Sequence, residues 1–404
     1  MLRNNLPPAT EPAGLNLAVI GAGPVGLTLA LQAAQALPGA RVSLFDARPA
    51  DKDVSGDPRT LALSLGSVQL LQRLDAWNAE AAQRILEVHV SQQPPSLPAL
   101  LGAWMPEPEV RIRAIDEAVP MLGAVLSYGA IVAPLQRVWL AAAAREPQRL
   151  ATRFGTPVAA MKPVAGGVEI DAGIAERFDL AVVAEGGVFS DQLRKGVSHD
   201  YRQTAWVGTV QLANPRPGVA YERFTRHGPA ALLPLKDGRA GLVWCVPSDD
   251  DPVAELTEPQ RLAVLNTVFH AEVGALTALS PLKRFALGLN AERSLTDGRA
   301  VRIGNAAQTL HPVAGQGLNL GLRDAFELVR ALGSSQDVDA VLRRLEWKRG
   351  PDRWAMIAAT DFLARSFTWQ VPGAGAARGL GMVALQKLRP VKSALARQMM
   401  FGSR

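Results

Sequence analysis

Residues 17–46 read LAVIGAGPVGLTLALQAAQALPGARVSLFD, and their pattern is the main indication of the fold class. Leu17–Ile20 is a short apolar run that is typical of a buried strand, and the run that follows Gly26 is apolar over the length of a helix. Arg41–Phe45 predicts a second strand, which Asp46 closes. The stretch therefore predicts a strand, a helix and a second strand in immediate succession.

The turn between the first strand and the helix has the form Gly-x-Gly-x-x-Gly. Its members are Gly21, Gly23 and Gly26, and Pro24 follows the second glycine. The first glycine makes the turn, the second lets a pyrophosphate approach, and the third permits close packing of helix on strand. An acid about twenty residues further on, here Asp46, accepts hydrogen bonds from ribose hydroxyls. The pattern predicts a dinucleotide-binding unit; the alternative is a glycine turn in an ordinary βαβ unit.

A second glycine-rich segment, His311–Asp324, reads HPVAGQGLNLGLRD. Its glycines alternate with polar residues and are followed by apolar residues at helical spacing. The pattern indicates a tight loop that runs into the N-terminus of a helix, where free N–H groups and the positive end of the helix dipole face an electron-rich ligand.

Together these segments resemble the FAD-dependent aromatic hydroxylases of the p-hydroxybenzoate hydroxylase class, and within it the ubiquinone-biosynthesis branch. HPVAGQGLNLGLRD resembles the signature of that branch, and GAGPVG resembles the ADP-binding fingerprint of the class. DPRTLALS (residues 57–64) resembles the segment whose arginine, here Arg59, lies near FAD. LRPVKSALARQMMFG (residues 388–402) resembles the C-terminus of the family, so the resemblance spans most of the chain.

The chain departs from the family pattern at three places. Glu185-Gly186 replaces Asp-Gly in a middle motif, Gly304-Asn305 replaces Gly-Asp before the signature, and Gln308 replaces a histidine. Asn305 can still hydrogen-bond a ribitol or ribose hydroxyl, although it brings no negative charge.

The expected fold class is α/β, with a Rossmann-like FAD-binding domain, an interleaved substrate domain built on an antiparallel β-sheet, and C-terminal helices. Four antiparallel strands are predicted at Thr204–Leu212, Tyr221–Thr225, Ala230–Leu235 and Ala240–Val246. The expected domains are 1–77, 134–200 and 291–345 for FAD, 78–133 and 201–290 for substrate, and 346–404 for the helical region. Gly350-Pro351 is expected to break the helical pattern.

The resemblance implies a set of cofactor contacts drawn from these motifs and from a helix-like segment at Gln136. They are Gly21, Gly23, Pro24, Gly26, Asp46, Arg59, Gln136, Glu185, Gly186, Gly304, Asn305, Gly315, Gln316, Gly317, Leu318 and Asn319. Arg59 could instead be a surface arginine, and Gln136 could lie on a solvated helix face.

Candidates for the reaction itself are fewer. His311 and Pro312 are expected near the flavin, where the histidine either transfers a proton or caps backbone groups. Trp206, Leu233 and Trp244 are candidates for contact with the substrate, and core packing is the alternative for the tryptophans. No metal site is expected, because the histidines lack the spacing of metal ligands.

The resemblance implies an aromatic-ring hydroxylase that uses FAD, NADPH or NADH, and O₂ through a flavin C4a-hydroperoxide. Its implied substrate is a polyprenyl-phenol or benzoquinol intermediate of ubiquinone biosynthesis. A single Gly-x-Gly-x-x-Gly fits transient docking of the nicotinamide cofactor. The alternatives are a flavin hydroxylase or halogenase of a soluble aromatic, and a non-catalytic scaffold subunit of a ubiquinone-synthesis complex. A Trp-x-Trp-x-x-Ile motif, expected of the halogenase, is not found in the sequence.

Composition favours a folded, cytoplasmic protein. The chain has 404 residues, 48% of them hydrophobic, and its one cysteine, Cys245, excludes an internal disulfide. Residues 1–16 lack an apolar core of signal-peptide length, and no stretch approaches the length of a membrane span. The net charge of +6 is spread along the chain without a nucleic-acid-binding motif, so nucleic acid is not an expected partner.

The C-terminal segment has a basic amphipathic pattern that Pro390 interrupts. Its apolar members are Leu380, Val383, Leu388, Val391, Leu395 and Met399, and its basic members are Lys387, Arg389, Lys392 and Arg397. The pattern predicts either peripheral contact with the inner face of a membrane or packing of terminal helices on their own protein.

Overall fold

The computed structural model describes residues 14–93, 107–186, 192–366 and 373–402. The expectation about a signal peptide rests almost wholly on residues 1–13, which lie outside the described residues. Among the helices of the described ranges, none combines the length and the apolar character needed to cross a bilayer.

A largely parallel sheet forms one half of the molecule. Its strands, numbered along the chain, are β1 (Asn16–Ile20), β2 (Arg41–Asp46), β8 (Leu150–Phe154), β12 (Leu180–Val183), β19 (Thr296–Asp297) and β20 (Ala300–Arg302). They lie in the order β19-β20-β12-β1-β2-β8, and only the short β19 runs antiparallel to its neighbour. Helix α1 (Pro24–Ala36) follows β1, as predicted. The parallel order places the carboxyl ends of these strands along one edge, where ligands of such sheets bind.

A nine-stranded, mostly antiparallel sheet forms the other half. Its strands are β5 (Glu87–Gln92), β6 (Glu109–Arg113), β13 (Val197–Leu212), β14 (Val219–Thr225), β15 (Gly228–Pro234), β16 (Arg239–Pro247), β17 (Leu276–Leu279), β18 (Lys283–Ala291) and β21 (Gln308–Thr309). The main path is β21-β18-β13-β16-β15-β14-β5-β6, with β17 paired to β13. The four predicted strands are confirmed as β13–β16, although β13 begins seven residues before Thr204.

Two three-stranded sheets complete the strands of the described residues. One contains β3 (Thr60–Ser64), β4 (Gln83–Ile85) and β7 (Gly123–Ser127), and the other contains β9 (Ala160–Val164), β10 (Gly167–Asp171) and β11 (Ala175–Phe178). β3 belongs to the first predicted FAD segment, yet it pairs with β7 of the first predicted substrate segment. The domain bounds therefore stay a prediction, while the α/β class with an antiparallel substrate sheet is confirmed.

The remaining helices are α2 (Leu65–Arg73), α3 (Tyr128–Arg145), α4 (Glu258–Val268), α5 (Gln316–Leu332), α6 (Val338–Ser366), α7 (Ala374–Lys387) and α8 (Arg389–Phe401). The predicted break at Gly350-Pro351 was wrong, because α6 continues through Pro351. An internal proline costs a helix about 3 kcal/mol. Buried hydrogen bonds from Arg349 and Arg353, on either side of the proline, hold this turn in place and offset that cost.

Candidate active site

The glycine turn after β1 is shaped by close backbone contacts. Gly21 has φ +102°, and a Cβ there would lie 2.8 Å from the amide nitrogen of Glu185. A Cβ on Gly26 would lie 1.8 Å from the carbonyl oxygen of Gly21, so only glycine lets α1 pack this closely. Gly23 differs, because a Cβ there would meet nothing nearer than the Tyr128 hydroxyl at 3.5 Å. The turn is therefore crowded behind Gly21 and Gly26 and open at the helix N-terminus.

Asp46 is held against this turn. Its Oδ2 accepts a 2.5 Å hydrogen bond from the Ala22 amide, and its Oδ1 accepts a 2.7 Å bond from the Arg48 amide. The Arg48 guanidinium donates to the Ala22 carbonyl and to Oε1 of Gln136, both at 3.2 Å. Each carboxylate oxygen of Asp46 retains a lone pair for a hydroxyl donor. The structure thus brings Gln136 and Asp46 together through Arg48, which the sequence analysis did not select.

The loops after β12 and β20 meet beside the same turn. A Cβ on Gly186 would lie 2.4 Å from the Cβ of Asn305, so the two loops touch directly. Burial, and then the charge of Asp46, raises the pKa of Glu185. Glu185, Gly186 and Asn305 therefore lie with Asp46 at the carboxyl edge of the parallel sheet, where a dinucleotide is held in folds of this kind.

Arg59 is connected to the glycine turn through one aromatic ring. Its guanidinium lies 4.1 Å from the centre of the Tyr128 ring, and its Nη2 lies 2.7 Å from the Asp57 carboxylate. The Tyr128 amide donates a 2.7 Å bond to the Arg59 carbonyl. Because the Tyr128 hydroxyl faces Gly23, Arg59 and Tyr128 border the open side of the turn. Tyr128, the first residue of α3, is a second site residue that the sequence analysis did not select.

Asn319 fixes the glycine loop of residues 311–319 to the strand after Arg59. Its Nδ2 donates 3.0 Å bonds to the carbonyls of Gly315 and Ala62. Its Oδ1 accepts 2.8 Å bonds from the Ser64 amide and the Ser67 hydroxyl. Gly315 adopts φ +58°, a left-handed conformation that favours glycine. One buried amide side chain therefore sets the position at which α5 begins.

The first turn of α5 is open on one side. A Cβ on Gly317 would meet no heavy atom within 4 Å. Gln316 is buried and Leu318 half-buried against the main core, so the opening is confined to the glycine between them. The backbone of this turn can therefore approach a flat ligand closely.

The N-terminal turn of α1 packs against the second turn of α5, close to the point at which α5 begins. A Cβ on Gly321 would lie 2.8 Å from the Cα of Gly304 and 2.9 Å from Cγ2 of Val25, the second residue of α1. Gly304 itself has φ +60° and touches Val25 as well. Two positive helix ends thus converge on one side of the parallel sheet.

His311 is buried, and both nitrogens of its ring form hydrogen bonds. Its Nδ1 accepts a 3.2 Å bond from the Val313 amide, so Nε2 carries the proton and donates to Oε1 of Gln203 at 2.9 Å. The Tyr201 ring packs edge-on at 5.3 Å, and burial lowers the pKa of His311 to about 3. The neutral ring caps the backbone of the loop, and Pro312 begins the short 3₁₀ turn Val313–Gly315.

Gln308 belongs to a buried polar network behind the loop. Arg353 Nε donates a 2.5 Å bond to its Oε1. The last residue of the signature, Asp324, accepts a 2.8 Å bond from Arg349 Nε, and Arg349 also donates a 2.5 Å bond to Asp352. These contacts clamp α5 to α6. The departure at Gln308 therefore affects helix packing and lies away from the open turns.

The structure separates the three substrate candidates. Trp206 and Trp244 lie on the face of the nine-stranded sheet that packs under α4, and Trp206 Nε1 donates a 3.0 Å bond to Asp251. Leu233 lies on the opposite face and packs against the core that contains the parallel sheet. Strand alternation places the tryptophans in the α4 core, which leaves Leu233 on the side of the glycine loop.

His89, Glu109 and Glu272 are close enough together to ligate a metal. Arg111, however, donates a 3.0 Å bond to Glu109 and a 2.5 Å bond to Glu272. A guanidinium thus occupies the position that a cation would take, and this cluster is an ion-pair network.

These observations test whether FAD fits. The open glycines Gly23 and Gly317 leave space at two adjoining helix N-termini, and the N–H groups there suit a pyrophosphate and the electron-rich edge of a flavin. Asp46 offers acceptors for ribose hydroxyls, and Arg48 offers a positive charge beside them. The residues fit the cofactor.

Comparison with known proteins places the chain among flavoproteins. A sequence family described as an FAD binding domain matches residues 186–359. Ubiquinone hydroxylase UbiL of Rhodospirillum rubrum is 30% identical, over 95% of this chain and 88% of its own length. The 3-demethoxyubiquinol 3-hydroxylase of Escherichia coli is 29% identical, over 93% of this chain and 96% of its own length.

A solved structure shares the fold. The crystal structure of Klebsiella pneumoniae HpxO, complexed with FAD and uric acid, superimposes with a TM-score of 0.68 at 17% identity. The match covers 96% of this chain and 97% of that one. The overall fold is therefore shared over nearly the whole chain.

Proposed function

Because the chain belongs to the family of FAD-dependent hydroxylases of ubiquinone biosynthesis, we propose that it hydroxylates the aromatic ring of a polyprenylated phenol or benzoquinol. The protein is an FAD-dependent monooxygenase. The observation that carries the proposal is the packing of α5 on the N-terminal turn of α1 at Val25, which brings two open helix N-termini near each other with one face of the antiparallel sheet beside them. The two relatives are named for ubiquinone and demethoxyubiquinol, which supports an oxygenated ring as the substrate.

We assign the cofactor contacts from this geometry. The α1 N-terminus at Gly23 and Pro24 would bind the pyrophosphate, and Asp46 would accept the ribose hydroxyls. Arg48 and Arg59 would offset the negative charge of the phosphates. Bound FAD supplies the redox chemistry, with NADPH or NADH as the hydride donor and O₂ as the source of the oxygen atom.

The chain contributes position and electrostatics to that chemistry. The first-turn amides of α5 around Gly317 would face the flavin edge on which negative charge develops, and they are already oriented because Asn319 fixes the turn. His311 holds the glycine loop in place by its hydrogen bonds to the Gln203 side chain and the Val313 amide. We therefore propose His311 as a positioning residue, since its buried ring holds no exchangeable charge near neutral pH.

Anaerobic flavin reduction tests the function. The protein would be reconstituted with FAD and mixed with NADPH, with and without a short-chain prenylphenol, while the oxidised-flavin absorbance is followed. Faster bleaching in the presence of the prenylphenol is the expected result for a hydroxylase whose flavin reduction is gated by its phenol substrate. Equal stimulation by phenol without a prenyl chain would favour a soluble aromatic substrate. Failure to retain FAD would favour a non-catalytic scaffold.

We also propose that α7 and α8 contact the surface of a membrane, at the inner face if the protein is cytoplasmic. Leu380, Leu388 and Val391 are each more than half exposed, although a basic amphipathic segment packed on its own protein would bury them. These helices pack against the core through other residues of the segment, such as Ala396 and Met400. The exposed apolar residues lie among basic ones, which suits an anionic surface and a substrate with a polyprenyl chain.

Lys392 is an exception within the basic set. It is buried, and its Nζ donates to the Arg111 carbonyl at 2.9 Å and to Gln386 at 3.2 Å.

Vesicle flotation tests the proposed membrane contact: the paired substitution Leu388→Ser and Val391→Ser should abolish flotation with anionic vesicles. Ile174→Ser removes an apolar residue elsewhere that is even more exposed and should have no effect. Equal flotation of all three proteins would refute the proposal.

A further inference from the structure

Glu222 lies in β14 and points away from the α4 core. Its neighbours in the strand face that core: Tyr221 packs in the same cluster as the two tryptophans, and Arg223 Nε donates a 3.0 Å bond to the Val268 carbonyl. Because successive side chains of a strand alternate, the Glu222 carboxyl emerges on the opposite face.

That opposite face is the one that meets the glycine loop. Phe224, two residues further along β14, packs against Val313. Two residues of a strand span about 7 Å, so Glu222 lies on the same face as Phe224, about 7 Å along the strand from the contact with the loop. Its direct cross-strand neighbours, Val90 and Ala231, are apolar.

No partner was found for the Glu222 carboxyl among the described residues, either as a hydrogen bond or as an ion pair. By surface area the side chain is only half-buried, yet burial alone raises the pKa of Glu222 to about 8. The side chain therefore lies among protein atoms and yet keeps some accessible surface, by which a ligand atom can reach the carboxyl. The titratable group that couples to it from the neighbouring strands is the Cys245 thiol of β16.

A polar group without a partner in an apolar pocket is costly unless a ligand satisfies it. We infer that the Glu222 carboxylate accepts a hydrogen bond from the ring hydroxyl of the substrate, and so selects rings with a free hydroxyl over their methyl ethers. The inference deepens the proposed function and rests on it. It concerns recognition of the ring oxygen, and it needs no bond to form or break in the substrate.

The inference makes ligand affinity depend on pH. With a pKa of about 8, about one-tenth of Glu222 is ionised at pH 7 and about nine-tenths at pH 9. A ring hydroxyl with a pKa near 10 stays protonated over most of that range. Since a carboxylate is the stronger acceptor, the affinity for a phenol should rise about tenfold from pH 7 to pH 9.

The experiment uses the FAD-loaded protein without a reductant, so that no turnover occurs. Binding of a short-chain prenylphenol and of its methyl ether would be titrated by calorimetry at pH 7, 8 and 9, for wild type, Glu222→Gln and Glu255→Gln. Wild type and Glu255→Gln, which alters an exposed carboxylate on the α4 side of the sheet, should show the tenfold rise for the phenol only. Glu222→Gln should bind the phenol with a flat pH profile.

Two results would overturn the inference. One is a rise of the same size in Glu222→Gln, which would assign the titration to another group. The other is a flat or falling profile in wild type, which would mean that the carboxyl is no acceptor for the ring hydroxyl. Loss of FAD retention, or absence of any phenol binding in wild type, would instead count against the proposed function itself.

Discussion

Replacement of Glu222 by glutamine should change the way in which stability depends on pH. Burial raises the pKa of this carboxyl from 4.5 to about 8. Between these values the folded state keeps a proton that the unfolded state has released. The stability associated with Glu222 is therefore fully present below about pH 4.5 and is lost progressively as the pH rises through about 8. Glutamine, which does not ionise, removes this loss.

The magnitude follows from the two pKa values. Each pH unit in the interval costs the wild type about 1.4 kcal/mol relative to the variant. Between pH 5 and pH 8 the difference in the free energy of unfolding should therefore grow by about 3.5 kcal/mol in favour of Glu222→Gln. A change of that size is a large fraction of the stability of an ordinary domain.

Urea unfolding followed by far-ultraviolet circular dichroism at pH 5, 6, 7 and 8 measures this difference, with FAD held at one concentration. Differences between variants at each pH remove the contribution of the other titrating groups. Glu255→Gln should leave the pH profile of the wild type unchanged, because that side chain is exposed. Parallel profiles for wild type and Glu222→Gln would refute the argument that the carboxyl is buried without a partner.

Three further predictions concern the cofactor turns. Asn319→Ala removes four hydrogen bonds, two of them buried and two partly buried, and should lower the free energy of unfolding by about 2–4 kcal/mol, as measured by urea unfolding; a loss below about 0.5 kcal/mol would contradict the assigned role. Gly26→Ala places a methyl group 1.8 Å from a carbonyl oxygen and should destabilise the protein by more than about 2 kcal/mol, whereas Gly39→Ala, with open space around it, should be tolerated. Gly317→Ala and Gly381→Ala both lie in helices with nothing within 4 Å and should each stabilise the fold by up to about 1 kcal/mol, but only Gly317→Ala should weaken FAD binding in a fluorescence titration. Equal FAD affinity in these last two variants would show that the open side of Gly317 does not face the cofactor.

The sequence predicts those parts of the site that depend on local backbone geometry. Gly21, Gly26 and Asp46 lie at fixed offsets within one βαβ unit, and the structure places them in contact around a single turn. Gly315 and Asn319 likewise belong to one short loop whose shape is local. Such patterns are readable because glycine conformations and helix ends are determined by neighbours in the chain.

Contacts between distant segments could not be predicted in this way. Successive side chains of β13 and β16 point to opposite faces of the sheet, and the sequence does not show that the face with Trp206 and Trp244 packs against α4. The continuity of α6 through Pro351 depends on buried partners elsewhere, among them Asp324. The sequence analysis did not select Glu222, because a glutamate in a strand is common and the sequence does not show which side chains face it. The structure was needed to show that its carboxyl has no partner among the described residues.

The hydrogen bonds of Asn319 also bear on the order in which the molecule assembles. The bond to the Ser64 amide joins positions 255 residues apart, and Arg323 Nη2 reaches the Met399 carbonyl 76 residues further on. Closing such long loops is entropically unfavourable until much of the chain is already compact. We therefore expect the flavin loop to be among the last regions to order during refolding. Quenching of FAD fluorescence should then lag behind the recovery of secondary structure, so that cofactor capture reports completion of the fold.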